Sequence, residues 1–161
     1  MKIIYLAGGC FWGIEAYFKL FDFTLDSEVG YANGNYLNPK YEELKSHKAT
    51  HAETLKLTYK NETSLETIIS TYLEVVNPYA INKQGEDEGL QYRTGIYTTS
   101  KDELEEIKKI IEAKEKEFNK GKFQIEISLL DNYSPAEEYH QDYLDKHKDG
   151  YCHINLSKYK K

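Results

Sequence analysis

The sequence predicts a single α+β domain, and three observations predict it. A chain of 161 residues that is 40% hydrophobic fits one globular domain large enough to bury a core. Strand-like alternation and helix-like periodicity follow one another unevenly rather than in a regular rhythm. No linker has the composition of a domain boundary, and internal repeats and low-complexity segments are absent. One domain over residues 1–161 is expected, with an irregular tail from His147 onward.

Taken in order, Lys2 to Ala7 is mostly apolar and reads as a short buried strand. After Gly8-Gly9-Cys10-Phe11-Trp12-Gly13, the residues Ile14, Tyr17, Phe18 and Phe21 recur at helical spacing, with Glu15 early in the first turn. Glu28 to Ala32 is a strand that runs into a turn-rich stretch, then a polar loop to about Thr50, long enough to suggest a functional loop. Glu53 to Tyr59 alternates as a half-buried strand, with Leu55, Leu57 and Tyr59 on one face. Ser64 caps a helix whose stripe is Ile68, Ile69, Tyr72, Leu73 and Val76, ended by Asn77-Pro78. A loop from Asn82 to Leu90 leads into a strand from Gln91 to Tyr97. Ser100 with Glu103 forms a capping box for a long charged helix that stops near Gly121. Phe123 to Leu130 alternates as a strand, and Ser134-Pro135-Ala136-Glu137 reads as the capped start of a last helix.

Charge and composition exclude several classes. Acidic residues outnumber Lys and Arg by 27 to 21, a formal charge of -6, which argues against a nucleic-acid or anionic-membrane partner. Lys158, Lys160 and Lys161 are read as a solubilising tail. Two cysteines make no disulfide framework, and no stretch is long enough to span a bilayer or serve as a signal peptide. A cytoplasmic protein is expected, whose cysteines matter for reactivity. Fifteen tyrosines suit some of these rings to a polar-rimmed pocket.

The chemistry centres on Cys10. It falls at a strand-to-helix junction, where unpaired amides and the helix dipole favour thiolate over thiol. The flanking glycines permit a tight turn that presents the sulfur, and Phe11 and Trp12 can form an apolar wall for a small uncharged group. A buried structural cysteine is the plainer reading of any one Cys; the glycine pair and the helix start favour a reactive one.

Gly9-Cys10-Phe11-Trp12-Gly13 resembles the nucleophile motif of the peptide methionine sulfoxide reductases, the A class that acts on the S epimer. The resemblance runs from Gly8 to Cys152 and implies a two-layer sandwich with a mixed sheet and a ferredoxin-like core. Reducing a sulfoxide needs a thiolate and a proton for the departing oxygen, which a carboxylic acid in a dry site can give. By resemblance, Glu53 in His51-Ala52-Glu53 is that acid; from the residues alone Glu15 is its rival. Tyr41 in Asn38-Pro39-Lys40-Tyr41, Tyr92 in Leu90-Gln91-Tyr92-Arg93 and Asp87 in Gly85-Glu86-Asp87-Glu88-Gly89 match residues the family uses around the sulfoxide oxygen. Gly150-Tyr151-Cys152 matches the family's recycling cysteine, so the resemblance implies a Cys10–Cys152 disulfide reduced by thioredoxin or another dithiol. It further implies oxidised proteins or the free amino acid sulfoxide as substrate and no bound cofactor or metal; a monomer is expected. Tyr139-His140-Gln141-Asp142-Tyr143-Leu144 is similar to the family's last-helix segment, without an evident role.

The chain departs from the family pattern at Thr50, at Asn33-Gly34-Asn35, and at Glu88 and Leu90, which puts loop shape and substrate preference in question. Three other readings compete. A zinc site lacks Cys-x-x-Cys and His-Glu-x-x-His spacing, and His51 reads as a packed or orienting residue. A thiol peroxidase or redox sensor would use the same cysteine pair without needing Glu53. A methionine-binding module would need Phe11 and Trp12 but no thiol.

Overall fold

In a computed structural model of the chain, the residues described are 2–35, 40–45, 50–84, 87–137 and 140–141, the side chains of Lys45 and Asp87 excepted. The strands are β1 (Lys2–Ala7), β2 (Thr24–Ala32), β3 (Ala52–Tyr59), β4 (Lys83–Gln84), β5 (Asp87–Glu88), β6 (Gly95–Thr98), β7 (Glu126–Leu129) and β8 (Tyr133–Pro135). The helices are α1 (Phe11–Phe18), α2 (Tyr41–Lys45), α3 (Leu65–Leu73) and α4 (Lys101–Phe118), with a 3-10 turn at Leu90–Tyr92. Six strands form one sheet in the order β7-β6-β1-β3-β2-β8, while β4 and β5 make a small hairpin of their own. Every neighbour in the large sheet is antiparallel except the pair β6 and β7, so the sheet is mixed. The fold is α+β in a single domain.

Side chains alternate across a strand, and β1 shows what that does here. Ile4 and Leu6 point into the main core with Ile14, Phe18, Leu55, Leu57, Ile68, Ile69, Ile96 and Ile107, which joins α1, α3 and α4 to the sheet. Tyr5 and Ala7 point the other way, into a smaller cluster with Ala32, Ala52 and Tyr97. The strand β3 is more deeply buried than its alternation suggests. Ala52, Glu53, Thr54 and Leu55 are all buried, because β3 lies between β1 and β2 with both faces covered.

Two helix caps form as their sequences predict. The Ser64 hydroxyl accepts the Thr67 amide at 3.1 Å, and the Ser100 hydroxyl accepts the Glu103 amide at 3.2 Å. The Glu103 carboxylate does not close its box directly. It takes the Thr98 hydroxyl at 2.9 Å, and Thr98 Oγ1 accepts the Ser100 amide. Asn119 ends α4 in the left-handed conformation, φ 52°.

Tertiary contacts move other boundaries. The helix α1 stops at Phe18, and Phe21 lies beyond it, stacked on Phe23 with centroids 5.3 Å apart. Glu15 is not in the first turn; it is buried in the second and accepts the Ser27 hydroxyl at 3.0 Å. The strand expected from Gln91 starts only at Gly95, since Leu90–Tyr92 curl into the 3-10 turn and the Leu90 carbonyl takes the Arg93 guanidinium at 3.0 Å. The strand expected from Phe123 starts at Glu126, because the amides of Phe123 and Gln124 are drawn to Glu115 and to the Pro78 carbonyl.

The expected helix start at Ser134 is instead the edge strand β8. It pairs with β2 through Gly30 opposite Pro135 and Tyr31 opposite Ser134. Gly30 allows this approach: a Cβ there would come 2.5 Å from the Ser134 carbonyl and 2.6 Å from the Tyr133 ring. Glu137, read as the closing residue of a capping box, spends its carboxylate elsewhere. It accepts the Tyr31 hydroxyl at 2.9 Å and the Tyr41 amide at 3.2 Å.

Candidate active site

Cys10 is the N-cap of α1, in extended backbone at φ -65° and ψ 125°, and is 7% exposed. Its carbonyl accepts the amides of Gly13 and Ile14, so the helix starts immediately at the thiol. Gly9 stands at φ 81°, the left-handed region that glycine enters without strain, and this turns the chain from β1 into α1. The Gly9 amide donates to the Tyr92 carbonyl at 3.3 Å, which fastens the 3-10 turn beside the thiol.

Strand register brings Glu53 to the same place. Glu53 stands opposite Tyr31 of β2, and its neighbour Thr54 stands opposite Ala7, the last residue of β1. The Glu53 side chain is 1% exposed, and its Oε1 accepts the Phe11 amide at 3.2 Å. The acid expected by resemblance thus bonds the backbone of the residue that follows the thiol expected from the helix start. Glu15 points away from them, toward Ser27 of β2.

An aromatic cluster forms the wall next to them. Phe11 is buried with its ring 5.7 Å from Tyr31 and 5.4 Å from His140. Trp12 is half-buried, and its indole N–H donates to His140 Nδ1 at 3.1 Å. Tyr41 opens α2 and packs on the same imidazole at 4.6 Å between centroids. Burial lowers the His140 pKa from the usual histidine value, against an opposing pull from Glu137.

Of the residues singled out in the sequence, Cys10, Phe11, Trp12, Tyr41, Glu53 and Tyr92 are therefore gathered into one neighbourhood. Asp87 has its backbone in β5, in the hairpin that leads straight to the 3-10 turn of Tyr92, and its side chain lies outside the described residues. Cys152 also lies outside them. The sequence pointed to no role at the site for His140, Tyr31 or Glu137, the last read only as part of a helix cap. The signal for His140 was present, a histidine between tyrosines in a matched segment, but nothing local told which ring it would meet. Among the described residues, no three of His, Cys, Asp and Glu gather in a set able to hold a metal ion.

The departures beside the site have structural partners. Asn33 takes φ 53°, and its Oδ1 accepts the Asp131 and Asn132 amides, while Asn132 bonds Gly34 through both its amide oxygen and nitrogen. Gly34 leaves room for the His51 ring, which a Cβ would approach to 2.1 Å. The Thr50 amide donates to Asn35 Oδ1, and the Thr50 carbonyl accepts from Arg93. Arg93 also reaches the carbonyls of Leu90 and Asn33 and the Glu126 carboxylate, so one buried guanidinium ties the ends of both site loops to β7.

Comparison with known proteins identifies the family. The profile of the family described as peptide methionine sulfoxide reductase matches residues 2–161. The peptide methionine sulfoxide reductase MsrA of Lachnoclostridium phytofermentans is 48% identical over 154 residues, which cover 95% of this chain and 92% of the relative. Reduced Mxr1 from Saccharomyces cerevisiae superposes with a TM-score of 0.88 at 34% identity, over 94% of this chain and 88% of that one. Mxr1 in complex with Trx2 matches with a TM-score of 0.62 at 26% identity, over 88% of this chain and 84% of that one. With the family profile spanning nearly every residue, the chain is an oxidoreductase that belongs to the peptide methionine sulfoxide reductase family.

Proposed function

We propose that this chain reduces the S epimer of methionine sulfoxide, in proteins or as the free amino acid, and is recycled by thioredoxin. The observation that carries the reading is the Glu53 carboxyl on the Phe11 amide, next to a thiol at the start of α1. The helix N-terminus favours the Cys10 thiolate. A buried carboxyl keeps its proton more readily than an exposed one. Glu53 in that form does not oppose the thiolate and has a proton to give.

In the proposed reaction, Cys10 Sγ attacks the sulfoxide sulfur while the oxygen receives the Glu53 proton. The oxygen passes to Cys10 Sγ as the S–O bond and the transient S–S bond break; the substrate sulfur gains two electrons and leaves as methionine, and the cysteine sulfur, oxidised by two, is left as a sulfenic acid. Phe11 and Trp12 receive the substrate methyl, and Tyr41, Tyr92 and Asp87 hold the oxygen end. The Cys152 thiol then condenses with the sulfenic acid, forming the Cys10–Cys152 disulfide and water. A dithiol donor reduces that disulfide by exchange through a mixed disulfide. The yeast relative bound to Trx2 supports thioredoxin as the donor.

The same reading covers the architecture. The four central strands β6-β1-β3-β2 are antiparallel, with α1 following β1 and α3 following β3, which supports a ferredoxin-like core in two layers. Residues 1–161 act as one domain whose tail, 147–161, delivers Cys152. The protein works as a cytoplasmic monomer without a metal or prosthetic group. No helix among the described residues is long and apolar enough to cross a membrane.

The test is thioredoxin-coupled turnover of a peptide carrying one resolved sulfoxide epimer. Consumption of the S epimer and not the R epimer supports the reading. Consumption of the R epimer, or of neither, overturns it.

A further inference from the structure

We infer that neutral His140 is a positioning residue for Trp12, its Nδ1 accepting the indole N–H so that the ring is set as a wall for the substrate methyl. The inference rests on the reading of Trp12 given above. Its own basis is a chain of contacts that starts at the sheet. The Gln141 side chain bonds both backbone groups of Val29 in β2, taking its amide at 2.9 Å and giving to its carbonyl at 2.8 Å. This fixes the segment next to His140 on the sheet. The imidazole itself is 1% exposed and lies among three rings, those of Phe11 at 5.4 Å, Trp12 at 5.5 Å and Tyr41 at 4.6 Å. Its plane is thereby held, and so is the direction of Nδ1.

Trp12 needs such a hold. It is half-buried, unlike the buried Phe11 beside it, so packing alone constrains it less. The indole has one donor and no acceptor, and the 3.1 Å bond to Nδ1 uses it. Because Nδ1 accepts, the neutral ring carries its proton on Nε2. A second proton would sit on Nδ1 and face the indole N–H, donor against donor, and the bond would be lost.

The groups around the imidazole decide when that happens. Glu137 on its own segment favours protonation, and burial opposes it more strongly. Tyr41 faces it from α2, Tyr31 lies behind Phe11 in β2 with its hydroxyl on Glu137, and Cys10 and Glu53 lie beyond Phe11. With the folded pKa below the unfolded one, the His140 contribution is present above the ordinary histidine value. It is lost as the pH falls through the folded value.

Trp12 is the only tryptophan, so its emission reports this bond directly. The experiment uses the full chain as wild type, His140→Asn and His140→Phe. Emission is followed against pH with far-UV circular dichroism alongside, and kcat and KM are measured on a sulfoxide peptide at pH 7.5. Asn keeps a neutral acceptor near the Nδ1 position, whereas Phe keeps the packing alone. The expected results are an emission change in the wild type below about pH 6.5 while the fold persists, absent from both variants. KM should rise about tenfold in His140→Phe, the loss of one hydrogen bond, with kcat within about threefold, and His140→Asn should restore most of the KM. A flat wild-type emission down to the onset of unfolding overturns the inference. So does an equal KM for the two variants. A wild type that reduces no sulfoxide defeats the functional reading instead, and the emission arm still decides the His140–Trp12 link.

Discussion

The Glu53 carboxyl and the Phe11 amide meet at 3.2 Å, and this bond joins a central strand of the sheet to the first residue of the helix that follows Cys10. It serves structure, and in the proposed reaction chemistry as well. As an acceptor, Glu53 satisfies an amide that the helix start leaves without an intrahelical partner. In the proposed reaction it is also the acid that gives the departing oxygen its proton.

Substitution separates the two roles. In Glu53→Gln the amide oxygen still accepts from Phe11, so the melting temperature should stay near wild type while kcat falls about 10²–10⁴-fold. Glu53→Ala should also lose about 1–3 kcal/mol of stability, since the Phe11 amide is left buried and unbonded. Thermal unfolding and steady-state kinetics of the two variants check this. An active Glu53→Gln enzyme would remove Glu53 as the proton donor.

Arg93 is expected to hold the loops that carry the site. Its guanidinium donates to the carbonyls of Thr50, Leu90 and Asn33 and to Glu126 at 2.9 to 3.1 Å. Arg93→Met should cost about 3 kcal/mol in denaturant unfolding, and Arg93→Lys should recover only part, because an ammonium lacks the planar fork. A loss below about 0.5 kcal/mol for Arg93→Met, the size of an ordinary surface change, would contradict this role.

Gly30 is a position where β8 leaves no room for a side chain on β2. Adding a methyl group in Gly30→Ala meets the Ser134 carbonyl and the Tyr133 ring, and should destabilise by about 1–3 kcal/mol. Hydrogen exchange should show the β2–β8 amides opening first.

Tyr59 carries a buried hydroxyl with no hydrogen-bond partner among the described residues. Tyr59→Phe should therefore be neutral or stabilise by about 1 kcal/mol. Burial, with Glu103 and Glu106 adding to it, pushes the Tyr59 pKa up to about 12. The folded chain holds this proton while the unfolded chain releases it near pH 10, so stability falls as pH rises from about 10 to 12. Tyr72, Tyr97 and Tyr133 are pushed above the usual tyrosine range as well, chiefly by burial. Absorbance at 295 nm against pH should show a late, cooperative ionisation that coincides with unfolding, and Tyr59→Phe should lessen the alkaline loss.

Elements whose signals are local were legible in the sequence, and those made by distant contacts were not. Lys2–Ala7 reads as a strand from its apolar run, and Ser64 and Ser100 announce their helices by cap chemistry that needs only residues three further on. Ser134-Pro135-Ala136-Glu137 carries the same local signal, yet it becomes an edge strand because Gly30 opens a place beside β2 and Glu137 is claimed by Tyr31 and Tyr41. At the site, Cys10 was marked by its glycines and its helix start. Its proximity to Glu53 depends on a register shared by three strands, which no local pattern encodes. The grip of His140 on Trp12 spans 128 positions and is of the same kind.

The central claim is that Cys10 takes the oxygen and Cys152 resolves it. Single turnover without added reductant tests it most directly, on peptides carrying each sulfoxide epimer, in wild type and in Cys152→Ser. The account predicts about one methionine per enzyme from the S epimer alone, with two thiols lost in the wild type. Cys152→Ser should make its first methionine and then fail to cycle with thioredoxin. If neither epimer is consumed while hydrogen peroxide rapidly oxidises the cysteine pair, the chain is a peroxide-reactive thiol protein and the account is wrong.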